Sequence, residues 1–473
     1  MRWRKCGCGE VTDYISMNFI KTLWGKIMNF FKIDGQGIVD KDSTVLSSDM
    51  SEKIRLWNEI LKGEAPWNAE AKSCGVVDGI VSSLADPVSE EMRISCENAE
   101  LEFAMQELHN KASDIVQYMA LCGGCVVRPV WNNGLRFEII RLGNYIPLSY
   151  DLDGTLTGAV LLKEFQEKGK TYVLSETHEA VQTQGGYTHG VRLALYKFEN
   201  ETYTAVPLSA TSKTAELTQE YAYENVALPM IVEFRNRKSN NVDGSAVPVA
   251  IYSGRENLLE DADRQYRRIN WEQEAGEKIV FASADLFKTR QGEDGLVVSP
   301  KLNKLLVKLS DSGTEDNVNV YSPELRTASQ VEAFQEVLRR IEISCKIGKG
   351  TLSNLEEARM TATQYTGGKK VLYDTVDTYE SELEAKYRKV AYIFAYLLTA
   401  YSNIPFDDEI TVSYNDSARK DPDQMRQAAL LEVQQGIISK AEYRMRIFGE
   451  SEEEAASKVP AAEPISFGGL FGE

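Results

Sequence analysis

The segment CKIGKGTLSNLEEARMTATQYTGGKKVLY, residues 345–373, joins two helical patterns through a short loop flanked by glycine. Upstream of it a helix is predicted over 322–345, with Ser322 suited to the N-cap and Pro323 to the first helical position. Gly348, Lys349, Gly350, Thr351 and Leu352 then form a loop whose glycines leave the backbone free. Ser353, Asn354, Leu355 and Glu356 read as a capping box: the serine caps, and the glutamate three residues on reaches back. The box opens a long helix over 355–401. Its Leu372, Val376, Tyr379, Leu383, Tyr387, Val390, Phe394 and Leu397 recur every three or four residues, one apolar face of a helix. Gly367 and Gly368 weaken it by roughly 1 kcal/mol each relative to alanine.

Working outward, a helix is predicted over 249–274, carrying Arg264, Arg267 and Arg268 beside Ile269 and Trp271. A β-leaning piece rich in glycine and charge follows up to residue 321, where Val318 and Val320 alternate with Asn317 and Asn319. Further upstream, residues 51–120 are helical. Ile54, Leu56, Trp57, Ile60 and Leu61 mark one apolar face; Leu101, Phe103, Ala104, Leu108, Ile115 and Met119 mark another. Residues 126–131 and 135–140, around Asn132, Asn133 and Gly134, read as a hairpin. Strands at 160–165, 172–174 and 191–198 extend an antiparallel region to about Phe234, without βαβ alternation. The class is α+β, with no doubly wound α/β domain. Residues 14–33 are the most hydrophobic stretch, but lysines interrupt it and its apolar residues repeat at helical spacing, so an amphipathic helix is expected rather than a spanning one. After Pro405 come a polar stretch, an acidic helical unit over 421–454 and a tail expected to be disordered.

The 473 residues suggest about three domains. With 43 % hydrophobic and 26 % charged residues the profile is globular. Acids outnumber bases 71 to 53, a net charge of −18, which excludes gripping nucleic acid over a broad basic face. The three histidines, His109, His178 and His189, lack ligand spacing, so a histidine-rich metal site is not expected. Seven cysteines in no framework pattern fit a reducing compartment, and no signal peptide is visible. Cys122 and Cys125 have redox-motif spacing. They follow a helix and enter an apolar run, so they read as small buried thiols at a helix-to-strand turn.

One motif is tempting. Asp151, Leu152, Asp153, Gly154 and Thr155 match the DxDGT of haloacid-dehalogenase-type phosphohydrolases, where the first aspartate attacks phosphorus with Mg²⁺ assistance. Pro147 does not suit the central strand that motif needs, and Asp-Gly is also a hairpin dipeptide, so a hairpin is the stronger reading. The glycine–lysine clusters do not fit GxxxxGK[ST], and no nucleophile–base–orienter set assembles. No catalytic residue, cofactor or metal is expected. Arg264, Arg267 and Arg268, together with Lys349, are candidates to face a polyanion; the plain alternative is a solvated helix face.

Residues 53–67, 141–158, 345–373 and 436–456, in this order and spacing, resemble the portal proteins of tailed bacteriophages, closest to those of phages and prophages of Gram-positive bacteria. The resemblance implies a portal fold with wing, helical stem, β-containing clip and helical crown. Carried over, residues 1–45 would be an amphipathic arm, 46–247 the wing, 248–275 and 322–347 the stem helices, and 276–321 the clip. Residues 348–354 would be a tunnel loop, with Lys349, Gly350, Thr351, Ser353 and Asn354 nearest DNA. Residues 355–401 would be the long wing helix, 402–458 the crown and 459–473 the tail. The implied protein is a homo-oligomeric ring, a dodecamer, at one capsid vertex of the virion, assembled in the host cytoplasm. It would pass double-stranded DNA, dock the terminase large subunit, meet scaffold and major capsid protein, and later join the head–tail adaptor, without stable membrane insertion. The alternatives are a Mg²⁺-dependent phosphohydrolase using residues 151–155 and a membrane-associated scaffold using residues 14–33.

Overall fold

The computed structural model describes residues 44–132, 134–199, 202–275, 324–354, 362–414, 422–448 and 452–458, and the short strands 30–31, 39–40, 279–283, 306–309 and 319–321. Strand β1 (Phe30–Phe31) pairs antiparallel with β2 (Val39–Asp40). The helix expected over 14–33 is therefore corrected at its end, where two β-preferring aromatics take an extended conformation; residues 14–29 and 32–33 lie outside the described residues.

Helix α1 (Ser48–Lys62) is set by its cap and its spacing. The Ser47 hydroxyl accepts the Met50 N–H at 3.1 Å, and Met50, Ile54, Trp57 and Ile60 line one buried face. Helix α2 (Val76–Glu91) contains Pro87 and runs into strand β3 (Met92–Ser95), which helical periodicity had not signalled. Helices α3 (Ala99–His109) and α4 (Ala112–Cys122) follow. Leu101, Ala104, Leu108, Ile115 and Met119 are buried as expected, but Phe103 is 69 % exposed, on the other side of α3.

At Cys122 the chain turns directly into β4 (Gly124–Trp131), which pairs with β5 (Leu135–Arg141) as the expected hairpin. Strand β12 (Val232–Arg235) returns to β4 and completes a three-stranded antiparallel sheet. The second sheet is built from β6 (Tyr145–Tyr150), β7 (Leu156–Glu167), β8 (Lys170–Thr183), β9 (Gly186–Glu199), β10 (Thr202–Val206) and β11 (Glu220–Val226). Its order is β10-β9-β8-β7-β6, with β11 also on β9, and every pairing is antiparallel. The α+β class holds.

Helix α5 (Glu256–Ala275) starts seven residues later than the predicted 249. Residues 249–252 are apolar because they plug the core as a turn. The Ile251 N–H reaches the Ala120 carbonyl, and the Tyr252 hydroxyl reaches that of Leu121, both at 2.8 Å. Next comes a small sheet ordered β14-β13-β15, from β13 (Ile279–Ser283), β14 (Leu306–Leu309) and β15 (Asn319–Tyr321), with β13–β14 parallel. Helix α6 (Thr327–Cys345) begins at Thr327 with Arg326 at the cap position; Ser322 and Pro323, the expected start, lie outside the described residues. Helix α7 (Ala362–Ser402) is the long helix. Val376, Tyr379, Leu383, Tyr387, Val390, Phe394 and Leu397 are all buried, each contributing roughly 1.5–3 kcal/mol.

The chain divides into two units: residues 1–90 with 94–412, and residues 91–93 with 413–473. The first holds everything above except the last residue of α2 and the first two of β3. The chain passes between them at the end of α2, within β3 and again in β16 (Thr411–Tyr414), a strand missed in the polar stretch after Pro405. The second unit carries α8 (Pro422–Gln434), α9 (Lys440–Phe448) and α10 (Glu452–Ser457), close to the helical unit expected over 421–454. Arg446 bridges Glu432 at 3.2 Å and Glu442 at 3.0 Å there. The tail over 459–473 lies outside the described residues.

Candidate functional site

Helices α5 and α6 form an antiparallel hairpin. Glu272 accepts from the backbone N–H and guanidinium of Arg326 at 3.1–3.2 Å, and the Tyr266 and Phe334 rings meet at 6.1 Å further along. Arg264, Arg267 and Arg268 are exposed on α5; Arg264 pairs with Glu260 at 2.7 Å, and Arg267 and Arg268 make no ion pair with a described residue. They sit level with the first half of α6. Lys349 lies past the last turn of α6, 15 residues after Phe334, and the helix from Phe334 to Cys345 alone rises about 16 Å. The four cations expected to act together are therefore two separate features.

The loop after α6 is held, not free. Lys346 ends the helix in the left-handed region, and its N–H and that of Ile347 close back on the last turn. Gly348 (φ 80°) and Gly350 (φ 82°) take conformations that side chains disfavour, so the chain reverses tightly around Lys349. The reversal brings residues 350–353 onto the Glu342 carboxylate. Glu342 is fully buried. Its Oε1 accepts the N–H groups of Leu352 (2.7 Å) and Ser353 (2.6 Å), and its Oε2 accepts the Gly350 N–H (3.1 Å) and the Ser353 hydroxyl (2.9 Å). Gln335 takes the Asn354 N–H at 2.6 Å. The Thr351 hydroxyl donates back to the carbonyls of Ile347 and Gly348. Leu352 packs on α2, where a β-carbon at Gly79 would lie only 2.6 Å from it. Lys349 is exposed at the tip, as are Lys346 and Asn354 at the two ends of the loop. The Ser353 hydroxyl thus serves Glu342, and Glu356, its expected capping-box partner, lies outside the described residues.

Glu342 was not singled out from sequence, although a signal exists. It falls among Leu338, Ile341 and Cys345 on the buried face of α6, eight residues before a glycine. An acid at a core position needs donors, and a left-handed loop supplies them as backbone N–H groups.

The other motifs resolve as structure. Residues 151–155 are the tip of the β6–β7 hairpin. Asp151 accepts the Leu152 N–H and the Tyr187 hydroxyl, and Asp153 accepts both the N–H and the hydroxyl of Thr155. The Thr155 bonds hold the Asp153 carboxyl below its ordinary range. Cys122 and Cys125 are buried at the α4–β4 turn, and burial pushes the Cys122 thiol up to about 12, the opposite of a reactive thiolate. His178 and His189, unconnected by spacing, meet across β8 and β9. The Met230 N–H donates to His189 Nδ1 (3.2 Å), so His189 Nε2–H donates to His178 Nδ1 (2.9 Å), and His178 Nε2–H donates to Glu176 (2.9 Å). Arg128 closes the chain on Glu176 at 2.8 Å. The direction of donation follows from the backbone N–H at its far end. Among the described residues no group of His, Cys, Asp and Glu is arranged to hold a metal, and no helix is long and apolar enough to cross a membrane.

From residue 256 to 402 the chain runs through a helical hairpin with a small sheet between its helices, a tight loop and a long helix. Residues 161–461, well over half of the chain, match the family model described as "Phage portal protein, SPP1 Gp6-like". The chain belongs to the phage portal protein family. The match takes in most of the six-stranded sheet, the α5–α6 hairpin, the loop, α7 and, in the second unit, β16 and α8 to α10; residues 53–67 and 141–158, quoted for the resemblance, precede it. A comparison with curated proteins finds no match. Portal proteins are structural rather than enzymatic. They form rings at a capsid vertex, so the portal chain is a virion component whose partners are its own copies, the capsid and DNA.

Proposed function

We propose that this portal chain forms a dodecameric ring, assembled in the host cytoplasm, whose channel passes the phage genome during packaging and ejection. In this reading residues 248–275 and 322–347 are the stem and 276–321 the clip. The clip docks the terminase large subunit and later the head–tail adaptor, while 46–247 and 355–401 are wing and 402–458 crown, next to scaffold and major capsid protein. Energy comes from the terminase, since this chain carries no P-loop. The observation that carries the reading is the α5–sheet–α6 hairpin running into the latched loop at 348–354, inside the family match. The charge supports it: a wall of subunits at −18 each attracts phosphate weakly, so DNA can slide. Against that background the exposed Lys349, presented by Gly348 and Gly350, is the local contact, with Thr351, Ser353 and Asn354 shaping its support.

Solution mass together with negative-stain images tests the ring; a strict monomer under assembly conditions with capsid components refutes it. Lys349→Ala then tests the loop: rings form normally while DNA packaging per particle changes, and unchanged packaging removes Lys349 from the channel.

A further inference from the structure

We infer that the two outer edges of the α5–α6 hairpin are the complementary faces by which one copy of this chain joins the next. The inference rests on the ring proposed above and adds what holds it together. A closed ring has heterologous interfaces, so each subunit must carry two different faces that fit each other.

On α5, Arg264, Arg267, Arg268 and Trp271 are spaced i, i+3, i+4, i+7 and form one exposed stripe. The stripe lies opposite the buried residues Leu259, Ala262 and Ile269. Trp271 is 59 % exposed within it. On α6, Glu332, Glu336 and Ile343 lie on the side opposite buried Leu338, Ile341 and Cys345; Arg339 and Arg340 share that side between Glu336 and Ile343, and Ile343 is 61 % exposed. Both sets face away from the seam where Tyr266 meets Phe334, so they lie on opposite sides of the hairpin.

Their heights match. Glu272 lies level with Arg326, and Tyr266 with Phe334, so each step up α5 is a step down α6. By that register Arg267 is level with Glu332, and Arg264 with Glu336. Hairpins set side by side about an axis parallel to their helices would bring the basic stripe of one against Glu332 and Glu336 of the next without any slip. Glu332 makes no ion pair with a described residue, and Glu336 also holds Arg340 at 3.1 Å and Arg339 at 3.8 Å on its own helix, so Glu332 is the freer partner. DNA is the competing occupant of the basic stripe. It gives Trp271 nothing to bury against, whereas a neighbouring subunit covers the ring and pairs the charges in one contact.

The test is charge reversal in the full chain, read as the fraction in rings by solution mass and negative stain. Arg267→Glu with Arg268→Glu sets acids against Glu332 and Glu336 of the next copy, and Glu332→Lys with Glu336→Lys sets lysines against Arg267 and Arg268. All four side chains are exposed, and unchanged circular dichroism confirms the fold. Each pair lowers the ring fraction about tenfold or more at fixed concentration. An equimolar mixture restores rings, because every interface between unlike copies then sets acids against basic residues at these positions; the fourfold variant restores them alone. Rings persisting in either pair, or no recovery in the mixture and the fourfold variant, overturn the inference. So does an arginine pair that keeps its rings but packages less DNA, which assigns the stripe to DNA. Wild-type protein that forms no rings at all strikes the ring reading itself, a result distinct from these.

Discussion

Replacing Glu342 with glutamine removes the charge that holds the 348–354 loop while leaving volume and shape almost unchanged. The consequences follow from the four donors. If the amide oxygen takes the place of Oε1, it still accepts from the Leu352 and Ser353 N–H groups, but as a neutral acceptor. The amide nitrogen then replaces Oε2. The Ser353 hydroxyl can turn and accept from it, but the Gly350 N–H faces another donor and is left unpaired. Bonds to a charged acceptor are worth about 1.5–3 kcal/mol against about 1 for neutral ones, and a stranded buried N–H costs about 1–3 kcal/mol. The loop therefore loses about 2–4 kcal/mol of local stability.

Amide hydrogen exchange reads this directly. Leu352 and Ser353 exchange by opening of the loop, so their protection falls about 30- to 1,000-fold, at roughly tenfold per 1.4 kcal/mol. Amides in the middle of α7 keep theirs, because Val376 to Leu397 are buried independently of the loop. Unchanged protection at Leu352 and Ser353 would show that the carboxylate is not the latch. A uniform loss across α7 and the sheets would show that Glu342 supports the whole unit rather than the loop.

The remaining predictions concern the body. A β-carbon at Gly124 would lie 2.6 Å from the Phe234 carbonyl on the paired strand, so Gly124→Ala destabilises by about 3 kcal/mol, seen as a Tm lowered by several degrees. Gly190→Ala in β9, whose nearest contact is 3.9 Å away, stays close to wild type, and equal effects would refute the argument. His189 is held well below 6.5 by burial and by His178, so the unfolded chain binds a proton that the folded one refuses. Stability is complete above pH 6.5 and falls below it, by up to about 1.4 kcal/mol per pH unit. His189→Gln flattens that slope in melting curves between pH 7 and 5, and identical slopes would rule the relay out as the cause. Asp151→Asn costs at most about 1 kcal/mol at an exposed hairpin tip and leaves Mg²⁺-dependent hydrolysis of an aryl phosphate at background, as in wild type; an activity that the change abolishes would revive the phosphohydrolase.

Periodicity made the long helix and the antiparallel sheet legible, because both bury one face of a regular element. Tyr379, Tyr387 and Phe394 repeat as a helix must if that face is covered, and the strands around residues 168–169 alternate up to a glycine turn. Where several apolar residues run together the same rule misleads. Residues 249–252 fit a helix as well as a plug, and the choice is made by Ala120 and Leu121 on another element. Phe103 fits the pattern of α3 but not its buried face, and Phe30 and Phe31 choose a strand on pairing with Val39 and Asp40. The plug depends on partners more than a hundred residues away, and the strand on a pairing that helical spacing does not show.

The candidate site was half legible for the same reason. Glycines flanking a lysine between two helices marked the loop, and the spacing of Arg264, Arg267 and Arg268 marked the stripe, because both are local facts. That the loop is latched, and that the stripe and Lys349 stand apart, are facts of three dimensions. Two glycines suggest freedom to move, yet positive φ at Gly348 and Gly350 is also what folds the backbone N–H groups of Gly350, Leu352 and Ser353 inward onto one carboxylate. The same residue type serves a mobile loop and a locked one, and the acid at the core position of the preceding helix separates the two. A glutamate in that place without donors would cost several kcal/mol. Its burial therefore requires a loop closed over it, and a fixed base from which Lys349 projects.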